Sequence, residues 1–237
     1  MRIEQYSNYE AMSARVARCI TMAVQAKPRL LLCVSAGGTP TGTYQELAVQ
    51  YRKNPGLFRS MRILQIDEWG GLPSDSPAAC RAYLEKCLIE PLKIQSNRFI
   101  AFKPCTSAPD RECDRIARWL AQHGPIDICL LGLGLNGHIA LNEPASVLQP
   151  HAHRVRLSAK SLRHGMLRNL DRKPAYGLTL GLADILHSNE ILLLVSGRAK
   201  RAVLTRLLRK EISARFPASF LWLHPKVTIV CDREARG

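Results

Sequence analysis

The chain has 237 residues, 46% of them hydrophobic, a formal net charge of +15 and a pI near 9.9. That apolar content sustains a sizeable core and argues against global disorder, and the length suits one α/β domain spanning residues 1–237. No stretch reaches the ~18–20 apolar residues of a membrane span, and Met1-Arg2-Ile3-Glu4-Gln5-Tyr6-Ser7 lacks the apolar centre of a signal peptide, so a cytoplasmic location without membrane contact is expected.

Residues 8–26 place Tyr9, Met12, Val16, Ile20 and Ala23 at helical spacing and read as an amphipathic helix. Leu30–Val34 is a short continuous apolar run, which reads as a buried strand. It ends in Ser35-Ala36-Gly37-Gly38-Thr39-Pro40, and a helix over Thr41–Tyr51 follows directly. Glycines in such a turn let the backbone approach a phosphate, and the helix start offers free N–H groups. No Gly-Lys-Ser/Thr follows, so this is not a Walker A loop; taken alone it could be an ordinary strand-to-helix turn.

A second strand, Met61–Ile66, ends in Asp67-Glu68-Trp69-Gly70-Gly71-Leu72-Pro73. Two adjacent carboxylates closing a buried strand are costly unless solvated, paired or catalytic. One of them could serve as a general base; a helix cap or a loop ion pair is the competing reading. Ala78–Glu90 reads as a helix stopped by Pro91. Asp110–Gln122 reads as another, with Asp110 as its N-cap and Gly124-Pro125 as its stop.

Strand Ile126–Leu131 enters Gly132-Leu133-Gly134-Leu135-Asn136-Gly137-His138-Ile139-Ala140-Leu141-Asn142-Glu143-Pro144. The first six residues fit G-x-G-x-x-G. A dinucleotide site would need a helix next and an acidic residue after a second strand, ~20 residues on. Pro144 comes seven residues after Gly137, and no such strand follows. The glycines better suit a tight loop presenting His138, a side chain able to shuttle a proton near neutral pH, with Glu143 as a carboxylate to orient it.

Val155–Leu157 reads as a short strand, and Ser161–Asn169 as a basic helix. Leu178–Leu186 reads as a strand or turn entering a short helix. Strand Ile191–Val195 ends in Ser196-Gly197 before helix Arg198–Lys210, where Lys200 is either an anion ligand or a surface lysine. Val227–Cys231 is the last strand. Strands alternating with helices imply a three-layer α/β/α fold with a mainly parallel, Rossmann-like sheet. Ligands of such sheets bind outside the carboxyl ends of the strands. The three polar clusters should therefore meet in one site, suited to a small phosphorylated molecule.

The eight cysteines, Cys19, Cys33, Cys80, Cys87, Cys105, Cys113, Cys129 and Cys231, form no Cys-x-x-Cys pair and read as reduced structural thiols rather than metal ligands. The basic excess is concentrated in His151–Arg215, with 14 Lys/Arg against 4 Asp/Glu. Such a face can bind nucleic acid. With 6% aromatic residues and no interleaved stacking motif, it reads instead as a solvated face that lends one or two cations to the site.

Together these stretches resemble the glucosamine-6-phosphate deaminase/isomerase family. The resemblance rests on Ser35–Pro40, Asp67–Pro73, Asn136–Pro144, Leu178–Gly181, Ser196–Lys200 and Leu223-His224-Pro225-Lys226, so it covers nearly the whole chain. Gly137-His138 followed by Asn142-Glu143-Pro144 is its most specific part. Leu131–Gly134, Leu148-Gln149-Pro150, Thr179–Leu182 and Pro217–His224 are similar to the galactosamine-6-phosphate branch. The sister 6-phosphogluconolactonases share the fold but typically carry Asp-Glu-Arg where this chain has Asp67-Glu68-Trp69.

The resemblance implies cofactor-free, metal-free conversion of an amino sugar phosphate to a ketose 6-phosphate and ammonia. It implies that His138, with Glu143, opens the pyranose ring and that Asp67, beside Glu68, moves the C2 proton to C1. Asn136 stands where some members have an aspartate beside the histidine. Ser35, Gly37, Gly38, Thr39 and Lys200 would cradle the phosphate. The family adds an arginine before Pro174, for which Arg163, His164 and Arg168 are all candidates here. The C4 epimer and the oligomeric state are left open, and no allosteric site is indicated. A lactonase and a non-enzymatic sugar-phosphate sensor are the alternatives.

Overall fold

Side chains on successive residues of each central strand face opposite sides of the sheet, and the sequence fills both sides. The computed structural model describes every residue except Ser74, Asn169 and Arg172. In it Leu31, Cys33, Leu64, Cys129, Leu131, Leu193 and Ile229 share one hydrophobic cluster. Their strand neighbours Leu32, Val34, Ile63, Ile128, Leu130, Leu192 and Val230 share another. Strands buried on both faces read as continuous apolar runs, which is why these were legible as strands.

The sheet has seven strands in the order β1-β10-β9-β6-β2-β3-β5: β1 Arg2–Tyr6, β2 Leu31–Val34, β3 Arg62–Gln65, β5 Phe99–Ile100, β6 Ile128–Gly132, β9 Glu190–Val195 and β10 Val227–Asp232. Every pairing within it is parallel. Helices α1 (Tyr9–Ala26) and α2 (Gly38–Lys53) cover one face through Met12, Val16, Ile20, Tyr44 and Leu47. Helices α4 (Pro109–His123) and α6 (Arg201–Leu207) cover the other through Cys113, Ile116, Val203, Leu204 and Leu207. The three-layer expectation is met.

The differences from expectation are local. Edge strands β1 and β5 lacked a readable apolar run. Helix α2 starts at Gly38, not Thr41, because Pro40 sits in the first turn, where its missing N–H costs nothing. Helix α4 is capped at Ala108 with Pro109 at its first position, which places Asp110 inside the first turn rather than at the cap. The 78–90 helix divides into α3 (Cys80–Leu84) and a π turn over Glu85–Ile89. The basic segment is two 3-10 turns, Ser161–Arg163 and Gly165–Leu167, separated at His164, and its expected end at Asn169 lies outside the described residues. Arg198–Lys200 is a 3-10 turn before α6. The short strand near 155 is β7, His153–Val155. A second, antiparallel sheet, β4-β8-β7, pairs β4 (Asp67–Gly70) with β8 (Tyr176–Thr179) and was not foreseen. Short helices α5 (Leu182–Leu186) and α7 (Arg233–Arg236) complete the chain. No described helix is long and apolar enough to cross a membrane.

Candidate active site

From β2 the chain runs to β3 and β5 on one side of the sheet; from β6 it runs to β9 and β10 on the other. The neighbours β2 and β6 therefore flank the point where strand order reverses, and the crevice beyond their carboxyl ends is the expected ligand position. A cavity of about 290 Å³ opens there. Ser35, Gly37, Gly38, Thr39, Asp67, His138, Arg163, His164 and Lys200 all line it, as do Trp69 and Lys160, which sequence reasoning did not select. Glu68, Asn136, Glu143 and Arg168 are not in its wall.

The glycine loop is held with its carbonyl oxygens engaged. The Tyr44 hydroxyl donates to Ser35 O at 2.6 Å, Tyr83 to Gly37 O at 3.1 Å and Tyr9 to Gly38 O at 2.8 Å. Thr41 Oγ1 also donates to Gly37 O. Gly37 has φ 122°, a backbone region that favours glycine. With its carbonyls tied back, the loop has N–H groups and the start of α2 left to meet an anion. The tyrosines were missed because their helical spacing reads as core packing. Lys200 Nζ donates to Leu133 O, at the end of β6. Burial, and then Lys160, lower its pKa.

The structure separates the three candidates before Pro174. The His164 ring lies 3.8 Å from where a Cβ on Gly37 would stand, so it faces the glycine loop. Arg163 reaches the cavity wall while its Nε donates to Ala159 O at 3.1 Å. Arg168 is exposed and away from the cavity. Burial lowers the His164 pKa, and His138 and Lys200 lower it further.

Strand alternation separates the two carboxylates. Asp67 and Trp69 line the cavity, whereas Glu68 is completely buried and turned away. Its oxygens accept from Trp69 N, Cys80 N, Arg81 N and Gln65 Nε2 at 2.7–3.0 Å. Glu68 thus ties β4 to the start of α3; the structure gives it no approach to a ligand. Burial and the neighbouring Glu68 push Asp67 up to about 7, the poise of a general base near neutral pH.

No helix follows β6, so the G-x-G-x-x-G stretch is a tight loop. Gly137 N donates to Gly134 O and Gly134 N to His138 O, both at 2.9 Å. His138 Nδ1 is buried and stands 3.6 Å from Glu143 Oε2, an electrostatic approach slightly longer than a hydrogen bond. Glu143 also accepts from Asn136 Nδ2 at 2.8 Å, Ser158 N at 3.2 Å and Ser161 Oγ. Burial alone would raise its pKa, but His138, Ser161 and Asn136 hold it down at about 2. Ser161 is a further residue that sequence reasoning missed, since nothing in the pattern links it to Glu143. A Cβ on Gly134 would overlap the His138 ring. Gly134→Ala should therefore displace the imidazole and lower turnover by about 10–100-fold while circular dichroism stays native, since a misplaced catalytic group costs on the order of 10²-fold. Steady-state kinetics check this.

Three buried polar atoms of the cavity residues have no partner within the described protein: Ser35 Oγ, Trp69 Nε1 and His138 Nδ1. An anion cradle, a carboxylate poised near 7 and an imidazole backed by an ionised carboxylate can together bind a phosphate ester and move protons on the attached carbons.

The model of the family described as glucosamine-6-phosphate isomerases/6-phosphogluconolactonase matches residues 4–230. The Escherichia coli (strain K12) protein named "Putative deaminase AgaI" is 36% identical over 222 residues, covering 94% of this chain and 88% of its own length. The glucosamine-6-phosphate deaminase of Shouchella clausii (strain KSM-K16) is 34% identical over 238 residues, covering 99% and 96%. Among solved structures, a monomeric glucosamine-6-phosphate deaminase described as a missing link of the NagB superfamily superposes with a TM-score of 0.95 at 33% identity, covering 99% of this chain and 98% of that one. The 6-phosphogluconolactonase of Trypanosoma brucei, at 21% identity and a TM-score of 0.77 with 99% and 97% covered, shares the fold.

Proposed function

The chain belongs to the glucosamine-6-phosphate isomerase/6-phosphogluconolactonase family, and on that premise we propose that this hexosamine-6-phosphate deaminase acts on galactosamine 6-phosphate, yielding tagatose 6-phosphate and ammonia in the cytoplasm. The observation that carries the reading is the convergence of Asp67, His138 and the Ser35–Thr39 loop on one cavity at the strand-order reversal. The galacto preference rests on the branch-like stretches, Leu148-Gln149-Pro150 and Pro217–His224 among them.

In this reading the phosphate sits on the N–H groups of Gly37, Gly38 and Thr39, with Ser35, Lys200 and His164 beside it. His138, with Glu143 on its Nδ1 side, passes a proton between the C1 hydroxyl and the ring oxygen, and the pyranose opens. Asp67 then removes the C2 proton, giving an enolamine, and returns a proton to C1, giving a C2 imine. Water adds at C2 and ammonia leaves, so sugar amine plus water becomes ketose plus ammonia. Glu68 holds β4, and with it Asp67, in register. No step draws on a cofactor, and the reaction is complete within a single 1–237 domain.

The test is ammonia release from galactosamine 6-phosphate and glucosamine 6-phosphate, with lactone hydrolysis assayed alongside. Ammonia from the galacto substrate in preference supports the proposal; ammonia mainly from the gluco substrate overturns the epimer assignment. Lactone hydrolysis without ammonia from either amino sugar overturns the deaminase reading. His164 gives a pH signature. Its lowered pKa leaves it cationic only on the acid side, so its attraction for the phosphate weakens as pH rises. His164→Ala should raise KM by about 5–20-fold at a pH acid enough to charge the ring and by clearly less at pH 8, consistent with a charge-assisted hydrogen bond being roughly twice as strong as a neutral one. Initial rates at the two pH values measure this.

A further inference from the structure

The two oxygens of Glu143 are engaged from different directions. Oε2 accepts from Asn136 Nδ2 at 2.8 Å and approaches His138 Nδ1 at 3.6 Å. Oε1 is held from outside that loop, by Ser158 N at 3.2 Å and by the Ser161 hydroxyl. A glutamate side chain gives up much rotamer freedom when it is ordered, so the anchor on Oε1 decides how firmly Oε2 stays beside the imidazole. The direction of the Ser161 bond follows from its neighbours. Ser158 Oγ accepts from Ser161 N at 3.1 Å and donates to Ser161 Oγ at 3.2 Å. Ser161 keeps its own proton for Glu143, a carboxylate that can only accept. Ser161 is 3% exposed, which shields this bond from solvent.

Ser161 opens a 3-10 turn, Ser161–Arg163, and the backbone of that turn leads to the other end of the cavity. His164 N donates to Ser161 O at 2.9 Å, and the His164 ring faces Gly37 of the glycine loop. Lys160, one residue before, donates from Nζ to Leu135 O at 3.3 Å, in the loop that carries His138. We propose that Ser161 is a positioning residue for ring opening: its hydroxyl fixes the Glu143 carboxylate toward His138, from the turn that also brings His164 to the phosphate loop. The proposal rests on the hexosamine 6-phosphate reading above. Ser161 acts through Glu143, and a misplaced acid–base group costs rate steeply. Removing the hydroxyl leaves the backbone bond to His164 in place, so the phosphate end of the site should bind as before.

The experiment measures ammonia release from the preferred amino sugar phosphate by wild type, Ser161→Ala, Glu143→Gln and the double variant, with competitive inhibition by inorganic phosphate in parallel. Ser161→Ala should lower kcat by about 10–100-fold, the range of one hydrogen bond to a charged group, and leave KM and the phosphate inhibition constant within about twofold of wild type. In the Glu143→Gln background the same substitution should cost less than about threefold, because the charge it positions is already gone. That non-additivity shows that Ser161 acts through Glu143. Equal losses in the two backgrounds overturn the proposal, since Ser161 then acts elsewhere. So does a Ser161→Ala kcat within about threefold of wild type. A phosphate inhibition constant that rises in step with the loss of kcat also overturns it, because the whole turn has then moved rather than the carboxylate alone. Ser161→Cys, similar in volume and only a weak donor, carries the same predictions and repeats the cycle if Ser161→Ala fails to fold. Failure of the underlying reading looks different, since wild type would then release no ammonia from either amino sugar, and the assignment of Ser161 would fall with it.

Discussion

Asp67→Asn is expected to lower ammonia release by about 10³-fold or more while changing KM by less than about threefold. Asn keeps the shape of Asp67 and removes its basicity, and a positioned general base supplies roughly 10²–10⁴-fold. The proposed base works twice, at C2 and at C1, so the upper part of that range applies. The same group sets the pH dependence. Burial and Glu68 hold its pKa at about 7, and only the ionised form accepts a proton, so wild-type kcat/KM should rise with pH through about 7 and level off above it. The sign for stability is opposite. A carboxyl whose pKa is raised on folding favours the fold at low pH, and that contribution is lost as pH rises through about 7. Asp67→Asn should therefore melt at a higher temperature than wild type at pH 8, with the gap narrowing as pH falls toward the ordinary carboxylate range. A gain of stability with loss of rate would separate a catalytic carboxylate from a merely structural one.

Glu143→Gln should cost about 10²–10³-fold in turnover, with little change in competitive inhibition by inorganic phosphate. Its carboxylate is 3.6 Å from His138 Nδ1 and is held by Asn136, Ser158 and Ser161. Gln keeps that volume but removes the charge that supports a transient imidazolium. Because Glu143 titrates near 2, it is ionised across the working range, and the deficit should be flat from pH 6 to pH 9. Its pKa is depressed on folding, so the stability it contributes is present above the ordinary carboxylate range and is lost as pH falls toward 2. A deficit that varied steeply with pH in the neutral range would contradict this role. Kinetics across that range, with phosphate inhibition measured in parallel, decide it.

The layered fold was legible because its central strands are buried on both faces and so stand out as unbroken apolar runs. The three clusters were legible because each interrupts such a run with glycines and chemically active side chains. What stayed hidden depends on contacts distant in sequence. The small sheet pairs Asp67–Gly70 with Tyr176–Thr179, more than a hundred residues on, and nothing local to either segment announces it. That pairing separates Asp67 from Glu68, which the sequence presents as equivalent. The roles of Tyr9, Tyr44, Tyr83 and Ser161 come from hydrogen bonds across 9 to 46 positions, and an alternation pattern carries no trace of them. The choice among Arg163, His164 and Arg168 was ambiguous because a segment of 3-10 turns lacks the periodicity that would fix which side chains share a face.

The central claim is that Asp67 carries a proton between C2 and C1 of an amino sugar phosphate. Galactosamine 6-phosphate bearing deuterium at C2 tests it most directly, through the rate of ammonia release and the position of the label in the ketose. The account predicts a primary isotope effect on wild-type turnover, one ammonia per tagatose 6-phosphate, and deuterium lost from C2 and found at C1 or in water. Ammonia released with no isotope effect and with the label still on C2 would show that the C2–H bond is not broken, and would contradict it.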